Sequence, residues 1–78
     1  MPTVLHSGPY RFFFYSADGS EPPHVHVERD EKTAKFWLRP VRLQYSRGFG
    51  RLEIGRLRGI VDANSEALLR SWDEHFSR

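Results

Sequence analysis

The sequence predicts an α+β domain: an antiparallel sheet of three to five strands covered on one face by two C-terminal helices. Three observations carry this. Aromatic and alternating β-prone runs fill the first half, from Tyr10-Arg11-Phe12-Phe13-Phe14-Tyr15 through His24-Val25-His26-Val27 to Ala34-Lys35-Phe36-Trp37-Leu38. From about Arg51 the apolar spacing becomes helical, with Ile54, Leu57, Ile60 and Val61, then Leu68, Leu69, Trp72 and Phe76. Strands come first and helices second, without the alternation that marks a parallel α/β sheet.

Residues 3–6 read as a short extended segment ended by the turn signal Ser7-Gly8-Pro9. Residues 10–15 are aromatic and form the second strand. Asp18-Gly19 marks a turn, with too few carboxylates after it for a calcium loop. Pro22 and Pro23 lack backbone donors, so they stand at the entrance to a strand over 24–29. A strand over 33–39 stops at Pro40, and 41–45 adds a last short strand. The first helix carries Gly55 and Gly59, which weaken it by about 1 kcal/mol each relative to Ala, and close approach to the sheet is a reason to have them. Asn64 or Ser65 is the expected N-cap of the second helix. One kinked helix is the alternative, because the stripe through Leu57, Val61, Leu68 and Trp72 runs on with little phase error. Phe36, Leu38, Leu57, Val61, Leu68 and Trp72 are the expected centre of the core.

With 78 residues the chain is one domain, 1–78, and a domain this small buries a limited fraction of its surface. It has no cysteine, so neither a disulfide nor a thiolate metal site helps. Six Phe, three Tyr and two Trp supply a dense aromatic core instead, and oligomerisation is the other remedy. No apolar run of about 18 residues occurs and Met1-Pro2-Thr3-Val4-Leu5-His6 lacks the pattern of a signal peptide, so the cytoplasm is the expected location. The net charge of +2 is too mild to imply nucleic acid, but Arg39, Arg42, Arg47, Arg51, Arg56 and Arg58 fall in one window whose only acid is Glu53. Such a cluster is either a phosphate-binding footprint or a solvated basic surface.

Alternation puts Val25 and Val27 on one side of their strand and His24, His26 and Glu28 on the other. In the next strand Ala34, Phe36 and Leu38 oppose Lys35 and Trp37. Both apolar sets must meet the helices, or one strand would bury its charges. A hairpin around Glu31-Lys32 that pairs Val27 with Phe36 and Val25 with Leu38 satisfies this. It places Glu28 opposite Lys35, His26 opposite Trp37 and His24 near Arg39. The candidate functional face is therefore His24, His26, Glu28, Lys35, Trp37 and Arg39, expected to be open.

Three functions suit such a face. In the first, the histidines support packing or an interface, and the face around Trp37 binds a second copy or a small partner protein. In the second, His24 and His26 are the acid and base of an RNA-directed hydrolase, with Glu28, Lys35, Trp37 and Arg39 as binding residues that hold phosphate or stack on a base. In the third, the His-x-His pair binds zinc, copper or nickel, with Glu28, Glu21 or His6 as the third ligand. Two histidines alone define no ligand set, so no metal or other cofactor is assigned. No nucleophile constellation and no phosphate-cradling glycine loop is present.

The run Met1-Pro2-Thr3-Val4-Leu5, then Gly8-Pro9-Tyr10-Arg11-Phe12-Phe13-Phe14-Tyr15-Ser16, then Glu21-Pro22-Pro23-His24-Val25-His26-Val27, then Ala34-Lys35-Phe36-Trp37-Leu38 resembles the small prokaryotic proteins grouped as domain of unknown function 4160. Pro-Pro-His-Val-His-Val is the most specific part, and the likeness runs on through Gly48-Phe49 to the Trp72–Phe76 tail. The resemblance implies a short protein encoded beside another small protein, an arrangement similar to toxin–antitoxin pairs. It carries over no catalytic residue; only His24 and His26 match its signature. The function expected first is thus a component of a two-protein module that acts by protein binding, with RNA contact as an addition and no membrane partner.

Overall fold

The computed structural model describes residues 3–76. Five strands form one antiparallel sheet in the order of the chain: β1 (Thr3–Ser7), β2 (Tyr10–Phe13), β3 (His24–Arg29), β4 (Lys32–Leu38) and β5 (Val41–Arg47). Two helices follow, α1 (Arg51–Ala63) and α2 (Ser65–Phe76). The expected α+β arrangement is therefore observed, at the upper end of the expected strand count. Antiparallel neighbours need only short connections, and each turn has its cause in the sequence. Gly8 takes φ +56° between β1 and β2, where a Cβ would be strained. Pro22 and Pro23 enter β3 without a ladder donor to lose, and the Pro23 carbonyl accepts from Leu38 N–H at 3.0 Å.

The helices close over one face. Phe12, Val25, Val27, Ala34, Phe36 and Leu38 on the sheet meet Leu57, Val61, Leu68 and Trp72 from α1 and α2. All six residues expected at the core centre are buried. Full burial of each aliphatic or aromatic side chain contributes about 1.5–3 kcal/mol, which is how a chain without disulfides offsets its small size. α1 and α2 are two helices separated only by Asn64. The Asn64 carbonyl accepts from Leu68 N–H at 2.9 Å, the role of an N-cap residue, while its side-chain amide donates to the Ile60 carbonyl at 2.8 Å. One residue thus closes α1 and opens α2.

Two expectations are corrected. The β3–β4 register is His24 opposite Trp37, Val25 opposite Phe36, His26 opposite Lys35, Val27 opposite Ala34 and Glu28 opposite Thr33. It is offset by two residues from the pairing expected above. The turn is Asp30-Glu31, between Arg29 and Lys32, with Asp30 at φ +56°. Moving the turn by one residue moves the partners by two, so every side chain keeps its face while Glu28 loses Lys35. Asp tolerates the left-handed conformation better than most residues, and this places the turn there. Secondly, Gly55 and Gly59 do not approach the sheet. Both are exposed, and a Cβ at either meets nothing within 4 Å.

Candidate functional site

The face of β3 opposite the helices is not open. Tyr15 and the 3-10 turn Ser16–Ser20 cover its first half. Asp18 turns back on its own chain, as short carboxylate side chains do in turns. Its Oδ2 accepts from Tyr15 N–H at 2.8 Å, its own N–H donates to the Tyr15 carbonyl at 3.0 Å, and its carbonyl accepts from Glu21 N–H at 3.0 Å. These bonds aim the carboxylate at the sheet. There Oδ2 lies 3.0 Å from His26 Nε2 and 3.2 Å from His24 Nε2. Donor atoms from Asp18, His24 and His26 all lie within 4.8 Å of one another.

Aromatic rings wall the cluster. His26 stacks on Phe13 with ring centroids 5.5 Å apart and meets Tyr15 edge-on at 4.6 Å. His24 lies against Trp37 at 5.6 Å and against Trp72 of α2 at 5.0 Å. His24 has no exposed surface, and His26 keeps 9%. His24 Nδ1 donates to the Pro22 carbonyl at 2.9 Å, because a carbonyl can only accept. Its Nε2 is buried and makes no hydrogen bond: the nearby Asp18 oxygen is close enough but poorly aligned.

The charges follow from this packing. Burial works to raise the Asp18 pKa, but the Tyr15 N–H and the two histidines outweigh it and hold the carboxyl below its ordinary value. Burial depresses the His26 pKa, repulsion from His24 and Lys35 adds to this, and Asp18 only partly opposes it. The cluster therefore joins an ionised carboxylate to an imidazole that resists protonation. Among the described residues, these three are the group whose chemistry and spacing could hold a metal.

The expected site residues divide between several places. His24 and His26 do share a face, but beneath the turn rather than at an open surface. Glu28 leaves the group: it accepts from Arg11 Nε at 2.8 Å. Lys35 reaches Glu21 at 2.7 Å, with its ammonium 4.8 Å from the centre of the Trp37 ring. Trp37 and Arg39 line a cavity of about 200 Å³ together with Pro22, Pro23, Pro40 and Arg42. None of the third ligands weighed above joins the histidines through a carboxylate at 3.0 Å. Glu28 binds Arg11, Glu21 comes only within 3.7 Å of His24 Nδ1, and exposed His6 pairs with Arg11 in the β1–β2 ladder. Asp18 takes that place. The only sign of it in the sequence is the Asp-Gly pair close before the histidines, which reads equally well as a plain turn.

A second feature lies at the far edge of the sheet. Among the described residues β5 pairs with β4 alone, so one side of its backbone has no strand beside it. Trp37 faces Arg42, Lys35 faces Tyr45 and Thr33 faces Arg47, with an irregularity between the first two pairs. The extra residue there keeps Arg42, Tyr45 and Arg47 on one side, opposite the helices. Arg39, Arg42, Arg47, Arg51, Arg56 and Arg58 are all exposed, and among the described residues none has an acid within 4.0 Å. Glu53 is instead held by Tyr10 and Arg29. Leu52 and Tyr45 add apolar surface, at 88% and 45% exposure. No helix among the described residues is long and apolar enough to cross a membrane.

No curated protein and no solved structure matches this chain. A family model matches residues 10–73, which take in β2 to β5, the covering turn, all of α1 and most of α2. By that match the chain belongs to the family described as Domain of unknown function (DUF4160).

Proposed function

We propose that this chain is the binding component of a small two-protein module of the toxin–antitoxin kind, and that its partner docks on β5. The observation that carries this is the seven-residue edge of β5, which pairs with no other described strand and bears the exposed Arg42 and Arg47, neither with an acid within 4.0 Å among the described residues. A free edge offers a row of backbone donors and acceptors to an added strand. The arginines select an acidic one and speed its encounter. They also disfavour a second copy: symmetric antiparallel pairing centred between Gln44 and Tyr45 would bring Arg42 against the other copy's Arg47, and like charges directly opposite are destabilising.

Contact with RNA is the second reading. What favours it is the alignment of Arg42, Tyr45 and Arg47 beside Trp37 and Lys35 on one side of the sheet, since cations interleaved with aromatic rings suit phosphates and bases. Hydrolysis of RNA by His24 and His26 gains no such support, because both rings lie under the 3-10 turn.

Purification of the native chain together with whatever small protein accompanies it tests the proposal. A complex should form, weaken as salt rises, and lose at least tenfold in affinity in an Arg42→Glu/Arg47→Glu variant whose melting is unchanged. A labelled single-stranded RNA, titrated in parallel, tests the second reading. Binding of the partner protein that ignores both substitutions would refute the β5 site.

A further inference from the structure

We infer that Asp18, His24 and His26 form a binding site for a divalent first-row transition-metal ion, with Asp18 Oδ2 and the Nε2 atoms of both histidines as ligands. The site is independent of the β5 surface and uses none of its residues.

Four observations converge on it. The first is the donor set: two imidazoles and one carboxylate suit zinc, iron, nickel or copper and not the hard calcium or magnesium ions. The second is spacing. Ligands about 2.0–2.1 Å from zinc lie roughly 3 Å apart at a right angle and somewhat farther at a tetrahedral angle. The carboxylate oxygen is 3.0 Å from one Nε2 and 3.2 Å from the other, and the widest pair of donor atoms lies within 4.8 Å, so the imidazoles draw together by roughly 1 Å around the ion. The third is the tautomer of His24. The Pro22 carbonyl at 2.9 Å holds the hydrogen on Nδ1, which turns the Nε2 lone pair inward. A backbone carbonyl on the far nitrogen is a common way to orient a metal-ligating histidine.

The fourth observation is the Nε2 atom of His24 itself. It is fully buried, has no hydrogen-bond partner and lies beside a carboxylate oxygen. In the neutral ring two lone pairs would face each other there, at a cost. A proton on Nε2 would lie out of line with the Asp18 oxygen, which is why no hydrogen bond is formed. A cation between the three residues would take the free lone pair of His24 Nε2 and replace the hydrogen bond between His26 Nε2 and Asp18 Oδ2, with the His26 hydrogen moving to Nδ1. Three protein ligands leave a further position for water or a small ligand, as in catalytic rather than structural zinc sites.

The test uses the untagged full chain, stripped with a chelator and then dialysed against micromolar zinc. About one zinc per chain should remain bound, with a raised melting temperature. Cobalt(II) should give the visible absorption of a nitrogen- and oxygen-ligated ion. Asp18→Asn, which keeps the shape of the side chain, should lower zinc affinity tenfold or more, while His6→Ala and His75→Ala should leave it unchanged. Less than half an equivalent on the native chain, or full binding by Asp18→Asn, would overturn the site. If Asp18→Asn does not fold, imidazole nitrogen shifts of the native chain decide. Zinc must move those of His24 and His26; movement confined to His6 and His75 refutes the assignment.

Discussion

The Tyr10 hydroxyl donates a 2.7 Å hydrogen bond to Glu53 Oε2, joining β2 to the first turn of α1 across 43 residues of chain. Glu53 also accepts from Arg29 of β3, and Lys32 of β4 stands 4.0 Å away. The one acid in the arginine-rich window is thus used to fix α1 to three strands. The Tyr10 hydrogen bond, with Arg29 and Lys32 behind it, holds the Glu53 carboxyl below its ordinary 4.5 despite opposing burial. A lowered folded-state pKa gives stability that is present above the unfolded value and lost as pH falls through the folded one. Melting temperature should therefore drop as pH falls below about 4.5 in the native chain, more steeply than in Glu53→Gln. Glu53→Gln should melt lower at pH 7. Parallel pH–melting curves for the two chains would refute this.

Leu57 is fully buried and Trp72 keeps 6% exposure, at the centre of the contact between helices and sheet. Leu57→Ala or Trp72→Ala should each cost about 2–5 kcal/mol. Small domains are stable by only about 5 kcal/mol or little more, so either variant should be largely unfolded at 37 °C. Circular dichroism on heating measures this. An unchanged melting curve would contradict the packing.

Gly55 and Gly59 should respond in the opposite direction. They lie inside α1 with open space above them. Gly55→Ala and Gly59→Ala should each stabilise by about 0.4–1 kcal/mol, because alanine restricts the unfolded chain and meets no clash. Melting temperature should rise by several degrees per substitution. A fall would mean that this side of α1 is covered by something in solution.

Asp30 tests the hairpin register. At φ +56° it occupies a backbone conformation that glycine adopts freely and branched residues avoid. Asp30→Gly should leave stability unchanged or slightly raised, whereas Asp30→Val should cost about 1–2 kcal/mol. Equal melting temperatures for the two variants would place the turn elsewhere.

The sequence by itself determined the fold class, the order of elements, the core and the face of each β3 and β4 side chain. These depend on local periodicity: a period of two for Val25, Val27, Phe36 and Leu38, and a helical one for Leu57, Val61, Leu68 and Trp72. The family match, too, was legible in Pro-Pro-His-Val-His-Val. The tertiary structure alone decided the rest. Register hung on a turn one residue away from the expected one, and parity concealed the difference, since a shift of two preserves every face. The fate of the histidine face was less legible still. Nothing in the alternation of His24 and His26 says that Tyr15 and a 3-10 turn fold back over them, or that Asp18 points inward rather than to water. That outcome depends on how the β2–β3 connection packs on Phe13 and His26, an interaction between segments that no local pattern encodes.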